Sequence, residues 1–265
     1  MKAVIRRYEL TDAEWERLKP YFPDRQAGDK GRPRKDSRQI LNGILWIARS
    51  GAAWRDLPER YGAWQTIYKR FVQWQEAGLL EQIFHDLGAD ADLQDISIDS
   101  TYIKAHKASA GAGKKGECDS QNQFQNECIG VSRGGRSTKI HAVVDALGNP
   151  VHVQLSAGNV HDVAVAEELL SAISIKGSMV LADKAYGAFR LREYIVTHQA
   201  DYCIPPKSNE LEPWFCDWWR YKERHLVECF FLKLKEFRRV ATRYEKHASR
   251  YLGFVHLACI RILLA

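Results

Sequence analysis

The chain has 265 residues, 45% of them hydrophobic and 11% aromatic, and a formal net charge of +6. That length suits one catalytic-size domain with a smaller companion and excludes three domains. The mild basic excess fits a polyanionic partner without requiring one, and no apolar run, the stretch 40–48 included, is long enough to cross a bilayer.

The first part, residues 1–93, reads as all-helical. Thr11-Asp-Ala-Glu14 precedes Trp15 and Leu18 and forms a helix start. A turn-rich basic stretch, 24–36, contains Arg32, Arg34 and Lys35. From Ser37, the residues Ile40, Leu41, Ile44, Leu45 and Ala48 recur at helical spacing. After Gly51 and Pro58 a further helix sets Trp64, Ile67, Phe71 and Trp74 on one face, with Gln65, Lys69, Arg70 and Gln73 directed elsewhere.

The second part, 94–265, changes period. Ile96–Ser100 alternates as a strand, with Ile96 and Ile98 on one side and Ser97 and Asp99 on the other. Strands follow at 139–145 and 150–155, joined by the turn Ala-Leu-Gly-Asn, in which Asp145 reads as a plain hairpin residue. Helices are expected at 162–171 and 189–197, buried strands at 178–182 and 200–204, one long helix at 221–242 and another from about 248. Within this part lies a basic flexible insert, about 104–138, rich in Gly, Ser, Lys, Gln and Asn, whose composition cannot bury a core of its own; it reads as a surface loop, either disordered or ordered on nucleic acid.

The six cysteines, at 118, 128, 203, 216, 229 and 259, make no Cys-x-x-Cys pair and no zinc-ligand spacing. With no apolar secretory segment near the start, this points to a reduced cytoplasmic setting.

Three acids attract attention as a set. On the helix from 221, the residues Tyr221, Arg224, Glu228 and Lys235 fall within about 60° of one another, and Arg239 shares their stripe. Leu226, Phe230, Leu234 and Phe237 take the opposite side. Asp99 and Asp183 each stand where an apolar strand ends, a place where ligands gather in open mixed sheets. Hard divalent cations want several carboxylate oxygens, and acids on separate elements can supply them. Each aspartate alone is more readily a strand-end turn residue. His161 and Asp162 are candidates for support beside the site, or for capping the helix that follows. Trp214, Trp218 and Trp219 read either as packing of a surface segment or as platforms for an unpaired base.

Tyr-x2-Arg-x3-Glu-x6-Lys at 221–235 resembles the signature of DDE transposases of the insertion-sequence-five family, a bacterial group. Ile-Asp-Ser-Thr at 98–101 and Ala-Asp-Lys-Ala-Tyr at 182–186 are similar to its two aspartate blocks. Ser-Ala-Gly-Asn-Val-His-Asp at 156–162, Arg-Gly-Gly-Arg-Ser-Thr-Lys-Ile-His at 133–141 and Trp-Arg-Asp-Leu-Pro-Glu-Arg-Tyr-Gly-Ala-Trp-Gln at 54–65 extend the resemblance over nearly the whole chain.

That resemblance implies an α/β fold, an RNase H-like mixed sheet flanked by helices, preceded by a helix-turn-helix-like domain at 1–93. It implies a cytoplasmic, nucleoid-associated enzyme that binds the terminal inverted repeats of its element, hydrolyses strands at the ends and joins the 3′-hydroxyl to target DNA. Asp99, Asp183 and Glu228 are then the ligands of two Mg²⁺ or Mn²⁺ ions. Tyr221, Arg224, Lys235 and Arg239 are expected to place DNA or the third acid. Further contacts to double-stranded DNA are expected from Arg32, Arg34, Lys35, Gln65, Lys69, Arg70, Arg133, Arg136 and Lys139, in a homodimer assembled on DNA.

Overall fold

A computed structural model describes residues 6–22, 35–109, 127–132 and 134–265. The N-terminal helices follow from capping and apolar spacing. In α1 (Asp12–Leu18) the Thr11 hydroxyl accepts the Glu14 N–H at 3.2 Å, and the Glu14 carboxylate accepts the Thr11 N–H at 2.8 Å. Helix α2 (Ser37–Ser50) is capped by Asp36 and stopped by Gly51, whose φ of 70° suits a residue without Cβ. Helix α3 (Trp64–Glu76) buries Ile67, Phe71 and Trp74, as their spacing predicts, and α4 (Leu79–Leu87) follows after Gly78.

The sheet is mixed and centred on β1 (Asp95–Ala105). Along one edge β1 pairs antiparallel with β3 (Gly135–Val144), which in turn carries β2 (Gly130–Ser132) and β4 (Pro150–Ala157). Its other edge pairs in parallel with β5 (Met179–Leu181) at residues 95–97 and with β7 (Thr242–Arg243) at residues 104–105. Outermost is β6 (Asp201–Cys203), parallel to β5. The β3–β4 turn is held by Asp145, whose Oδ1 accepts the N–H groups of Leu147 and Asn149 at 2.9 and 2.7 Å.

Alternation along β1 and β3 separates two cores. Ile96, Ile98 and Val143 pack with α5 (Asp162–Ser171) and α6 (Phe189–Thr197). Ile103, Ile140, Ala142 and Val144 belong to a larger core. That core is shared by the N-terminal helices, α8 (His225–Lys235) and α10 (Ala248–Leu263). Phe71 of α3 lies 4.6 Å, ring to ring, from Phe254 of α10.

Three expectations need correction. Strand β1 continues past Asp99 to Ala105, so Asp99 lies mid-strand; only its parallel neighbour β5 stops early. The insert expected at 104–138 is not loop throughout: residues 104–105 end β1, and 130–132 and 135–138 are strand, paired by backbone hydrogen bonds that composition does not register. Residues 110–126 and 133 of it lie outside the described residues.

The third correction concerns the long helix expected at 221–242. It is α7 (Trp218–Tyr221), a 3-10 turn at 222–224, α8, and then α9 (Arg238–Ala241) after a break at Phe237, whose ψ is 97°. Phe237 and Val240 are both buried, and reaching that core outweighs helical continuity. After the break Arg239 leaves the Glu228 stripe and enters the interior.

Arg243, which sequence periodicity gave no reason to single out, is fully buried. Its guanidinium donates to the Thr138 hydroxyl at 2.7 Å and to the carbonyls of Glu245, Lys246 and Cys128 at 3.0, 3.0 and 3.3 Å. It thereby ties β7 to β3 and to the segment leading into β2. Arg243→Ala strands those acceptors in the interior and should cost about 3–5 kcal/mol in chemical denaturation. Arg243→Lys, with a point charge in place of a fork, should recover only part of that loss.

Candidate active site

The parallel register brings the aspartates together. Pairing of β1 with β5 ends at Ser97 and Leu181, and two residues further along each chain stand Asp99 and Asp183. Asp183 caps the following 3-10 turn by accepting the Ala185 N–H at 2.8 Å. Burial pushes the Asp99 carboxyl above its ordinary pKa, against the lowering effects of the Ser100 N–H and Arg224, and the negative charge of Asp183 pushes it the same way as burial. The charge of Asp183 therefore opposes ionisation of Asp99.

The third acid arrives on α8, packed on the face of the sheet that carries Asp99. Arg224 links them: it donates to Asp99 Oδ2 at 2.9 Å and to the Glu228 carboxylate through its other terminal nitrogen. Glu228 keeps 56% of its side chain exposed, whereas Arg224 keeps 17%. Tyr221 lies 5.8 Å from the same guanidinium, and Asp183 is among the charges acting on its hydroxyl. Lys235 is exposed two helical turns beyond Glu228 and on its face. Three signature residues, Tyr221, Arg224 and Glu228, thus meet the aspartates although the helix that carries them is broken.

Among the described residues, no three His, Cys, Asp or Glu side chains are placed to hold one metal ion. The positive charge between Asp99 and Glu228 is Arg224 itself. Two carboxylates gripping one guanidinium lie within its span of each other, and the donors are hard oxygens. That donor chemistry suits Mg²⁺ or Mn²⁺ rather than a soft metal.

Beneath the aspartates is a second polar layer. Asp162, first residue of α5, accepts the Ser100 hydroxyl and the Lys139 ammonium, both at 2.7–2.8 Å. Burial alone raises its pKa, but these two hydrogen bonds and the charge of Lys139 hold it below the ordinary value. His141 is buried on Ser156 at 2.7 Å, and burial lowers its pKa to about 4, so it is neutral near pH 7. Tyr186, at the end of the turn that Asp183 caps, is buried beside Ser100. Its phenol is pushed well upward by burial and by Asp162, Asp99 and Asp183. Residue-by-residue reasoning missed Ser100 and Tyr186 because their polarity is ordinary; their membership in the two aspartate blocks was the only signal.

Several expected DNA contacts are placed otherwise. Lys139 is 3% exposed and spends its ammonium on Asp162 and on the Val160 carbonyl at 2.8 Å, which leaves it unable to reach a phosphate. Arg239 is buried, paired with Glu245 at 2.6 Å and donating to the Ala52 carbonyl at 3.0 Å. Gln65 and Lys69 are exposed on α3 and Arg70 is half-buried; Lys35 and Arg136 are exposed. Arg32, Arg34 and Arg133 lie outside the described residues. His161 is exposed at the N-cap position of α5 and makes no capping bond. Of the tryptophans, Trp214 packs, donating to the Ile204 carbonyl at 2.7 Å beneath Arg192. Trp218 and Trp219 are exposed beside Tyr221.

The Lys139–Asp162 pair supplies a test of this layer. Asp162→Asn leaves a buried ammonium without its counter-charge and should cost about 3 kcal/mol near pH 7. A carboxylate with a depressed folded pKa gives stability that is complete above its unfolded value and is lost as pH falls through the folded one. Urea melts over pH 2–7 should therefore show a shallower acid limb in the variant than in the parent.

Comparison with known proteins agrees with this geometry. Residues 10–84 match the family model described as "Putative transposase of IS4/5 family", and residues 90–211 match the model described as "Transposase DDE domain". A Brucella ovis protein named "Putative transposase for insertion sequence element IS6501" is 44% identical over 131 residues, 48% of this chain and 98% of that one. The "Insertion element IS402 uncharacterized 16.2 kDa protein" of Burkholderia cepacia is 32% identical over 118 residues, 40% of this chain and 77% of that one. In three dimensions the chain is similar to a piggyBac transposase in a synaptic complex with hairpin DNA. The TM-score is 0.52 at 10% identity, over 94% of this chain and 70% of that one, a likeness of fold. With its mixed sheet, its paired aspartates and these relatives, the chain belongs to the IS4/5 family of DDE transposases.

Proposed function

We propose that the chain binds the terminal inverted repeats of its own element, hydrolyses strands at the element ends and transfers the freed 3′-hydroxyl to target DNA, with Asp99, Asp183 and Glu228 as its catalytic acids. The observation that carries this reading is the bridge of Arg224 between Asp99 and Glu228, made beside an aspartate pair whose charges repel. Such a cluster calls for positive charge.

Asp99, Asp183 and Glu228 are the residues that would hold two Mg²⁺ or Mn²⁺ ions. When bound there, such ions neutralise the phosphodiester and lower the pKa of an attacking oxygen. The chain's own residues do the remaining work. Arg224 keeps Asp99 and Glu228 within reach of each other. Lys235, exposed on the Glu228 face, pairs with a backbone phosphate. Asp162, Ser100 and Tyr186 fix the floor on which β1 presents Asp99. In hydrolysis, water attacks the phosphorus and the 3′-oxygen leaves with a proton; in transfer, that 3′-hydroxyl loses its proton as it attacks a target phosphodiester, and the displaced target 3′-oxygen leaves with one.

For the helical part, residues 1–93, the proposal is a DNA reader. The exposed row Gln65, Lys69 and Gln73 on α3 faces a groove, in a homodimer assembled on DNA. Two strand ends and two element ends make a paired assembly the economical arrangement.

The experiment uses labelled duplexes carrying the inverted repeats that flank the gene, with a supercoiled target and Mg²⁺ or Mn²⁺. The parent chain should cut and join. Asp99→Asn, Asp183→Asn and Glu228→Gln should each lose at least a thousandfold in joining, on the order of 4 kcal/mol, while still shifting the duplex in a gel. Normal joining by any one of them removes that acid from the site. Lys69→Ala should instead weaken duplex binding and reduce the salt slope by about one.

A further inference from the structure

A cleft of about 240 Å³ opens between the 3-10 turn at 54–56, the start of α3 and the segment that enters α10. It is apart from the carboxylates. Strand β7, which pairs with Lys104 and Ala105, leads directly into its lining residues Tyr244 and Glu245. The five residues from Asp99 to Lys104 place it about 17 Å along β1 from the first acid.

Its chemistry is of three kinds. Trp54, Trp64 and Tyr68 supply aromatic walls, with Trp54 edge-on to Tyr68 at 5.1 Å between centroids. Lys246 and Arg250 supply cations at the rim, and the Arg250 guanidinium already lies 5.8 Å over the Tyr68 ring. Glu245 supplies a single carboxylate. One of its oxygens is taken by Arg239, and the other is buried without a hydrogen-bond partner among the described residues.

We propose that this cleft captures an unpaired nucleotide. The base stacks on the aromatic walls, and its phosphate sits on Lys246 and Arg250. Every base offers a π-face, so stacking tolerates sequence, and cations at the rim of aromatic rings follow a nucleic-acid backbone. An arginine or lysine side chain of a peptide also suits rings and one carboxylate, but the cationic rim repels it. The proposal deepens the DNA reading above by assigning a place to a nucleotide freed from its duplex, and it rests on that reading.

The test uses the full chain and a single-stranded oligonucleotide carrying one 5-iododeoxyuridine, cross-linked by light and mapped by mass spectrometry. Label is expected on Trp64 or Tyr68. Replacing the iodinated nucleotide by an abasic residue should lower affinity about tenfold, a ligand-side change that leaves the protein's folding untouched. Lys246→Glu with Arg250→Glu should lower it at least as much, with a parental circular-dichroism spectrum. Label confined to other surfaces, an affinity indifferent to the abasic residue, or stronger occupation of the cleft by an arginine-rich peptide would each overturn the proposal. Duplex-end cutting is scored in parallel: if cutting fails while the cross-link holds, the transposition reading falls and the cleft stands; the reverse outcome removes the cleft alone.

Discussion

Two carboxylates side by side cannot both ionise cheaply without a cation, and that constraint organises this molecule. Asp99 is half-hidden from water and faces the charge of Asp183. Arg224 meets part of the demand by joining Asp99 to Glu228, so the third acid is tied to the first before any substrate arrives. A guanidinium at that point has one fixed charge and a planar fork. It preassembles the donors and, with one positive charge against three carboxylates, leaves the cluster short of neutrality.

The rest of the fold serves that juxtaposition. Parallel pairing of β1 with the short strand β5 delivers two aspartates to one crevice, and β5 must be short for Asp183 to turn away and cap. Helix α8 has to pack with Val227, Phe230 and Leu234 against the Asp99 face of the sheet, which leaves Glu228 and Lys235 outward. The buried Lys139–Asp162 pair and Arg243 hold the opposite face and the far end of β1. The N-terminal helices share the larger core, so their placement is set by the same hydrophobic contacts that seat α8 and α10.

Much of this was legible in the residues. The alternation of Ile96 and Ile98 against Asp99, the face of α3, the Thr11 capping box and the Asp145 turn are local effects with local signals, and the structure follows each. Tertiary effects were not legible. Nothing in the spacing of 221–242 announces the break at Phe237, since the helical period continues through it and only a distant core draws the chain aside. Hence Arg239 looked like a partner of Glu228 and is an internal partner of Glu245. Lys139, at the start of an expected strand, looked like a DNA contact and is buried on Asp162, because a charge that finds a partner can be buried, and its partner lies 23 positions away.

On the function proposed above, Asp99, Asp183 and Glu228 form one cation-binding site. The direct measurement is titration of Mn²⁺ into the full chain with bound ion counted by electron paramagnetic resonance, for the parent and for Asp99→Asn, Asp183→Asn and Glu228→Gln. Up to two bound ions are expected in the parent, with a loss of at least one in every variant and tighter binding as pH rises and Asp99 ionises. Parental binding retained in all three variants, with the same pH dependence, would place the metal elsewhere.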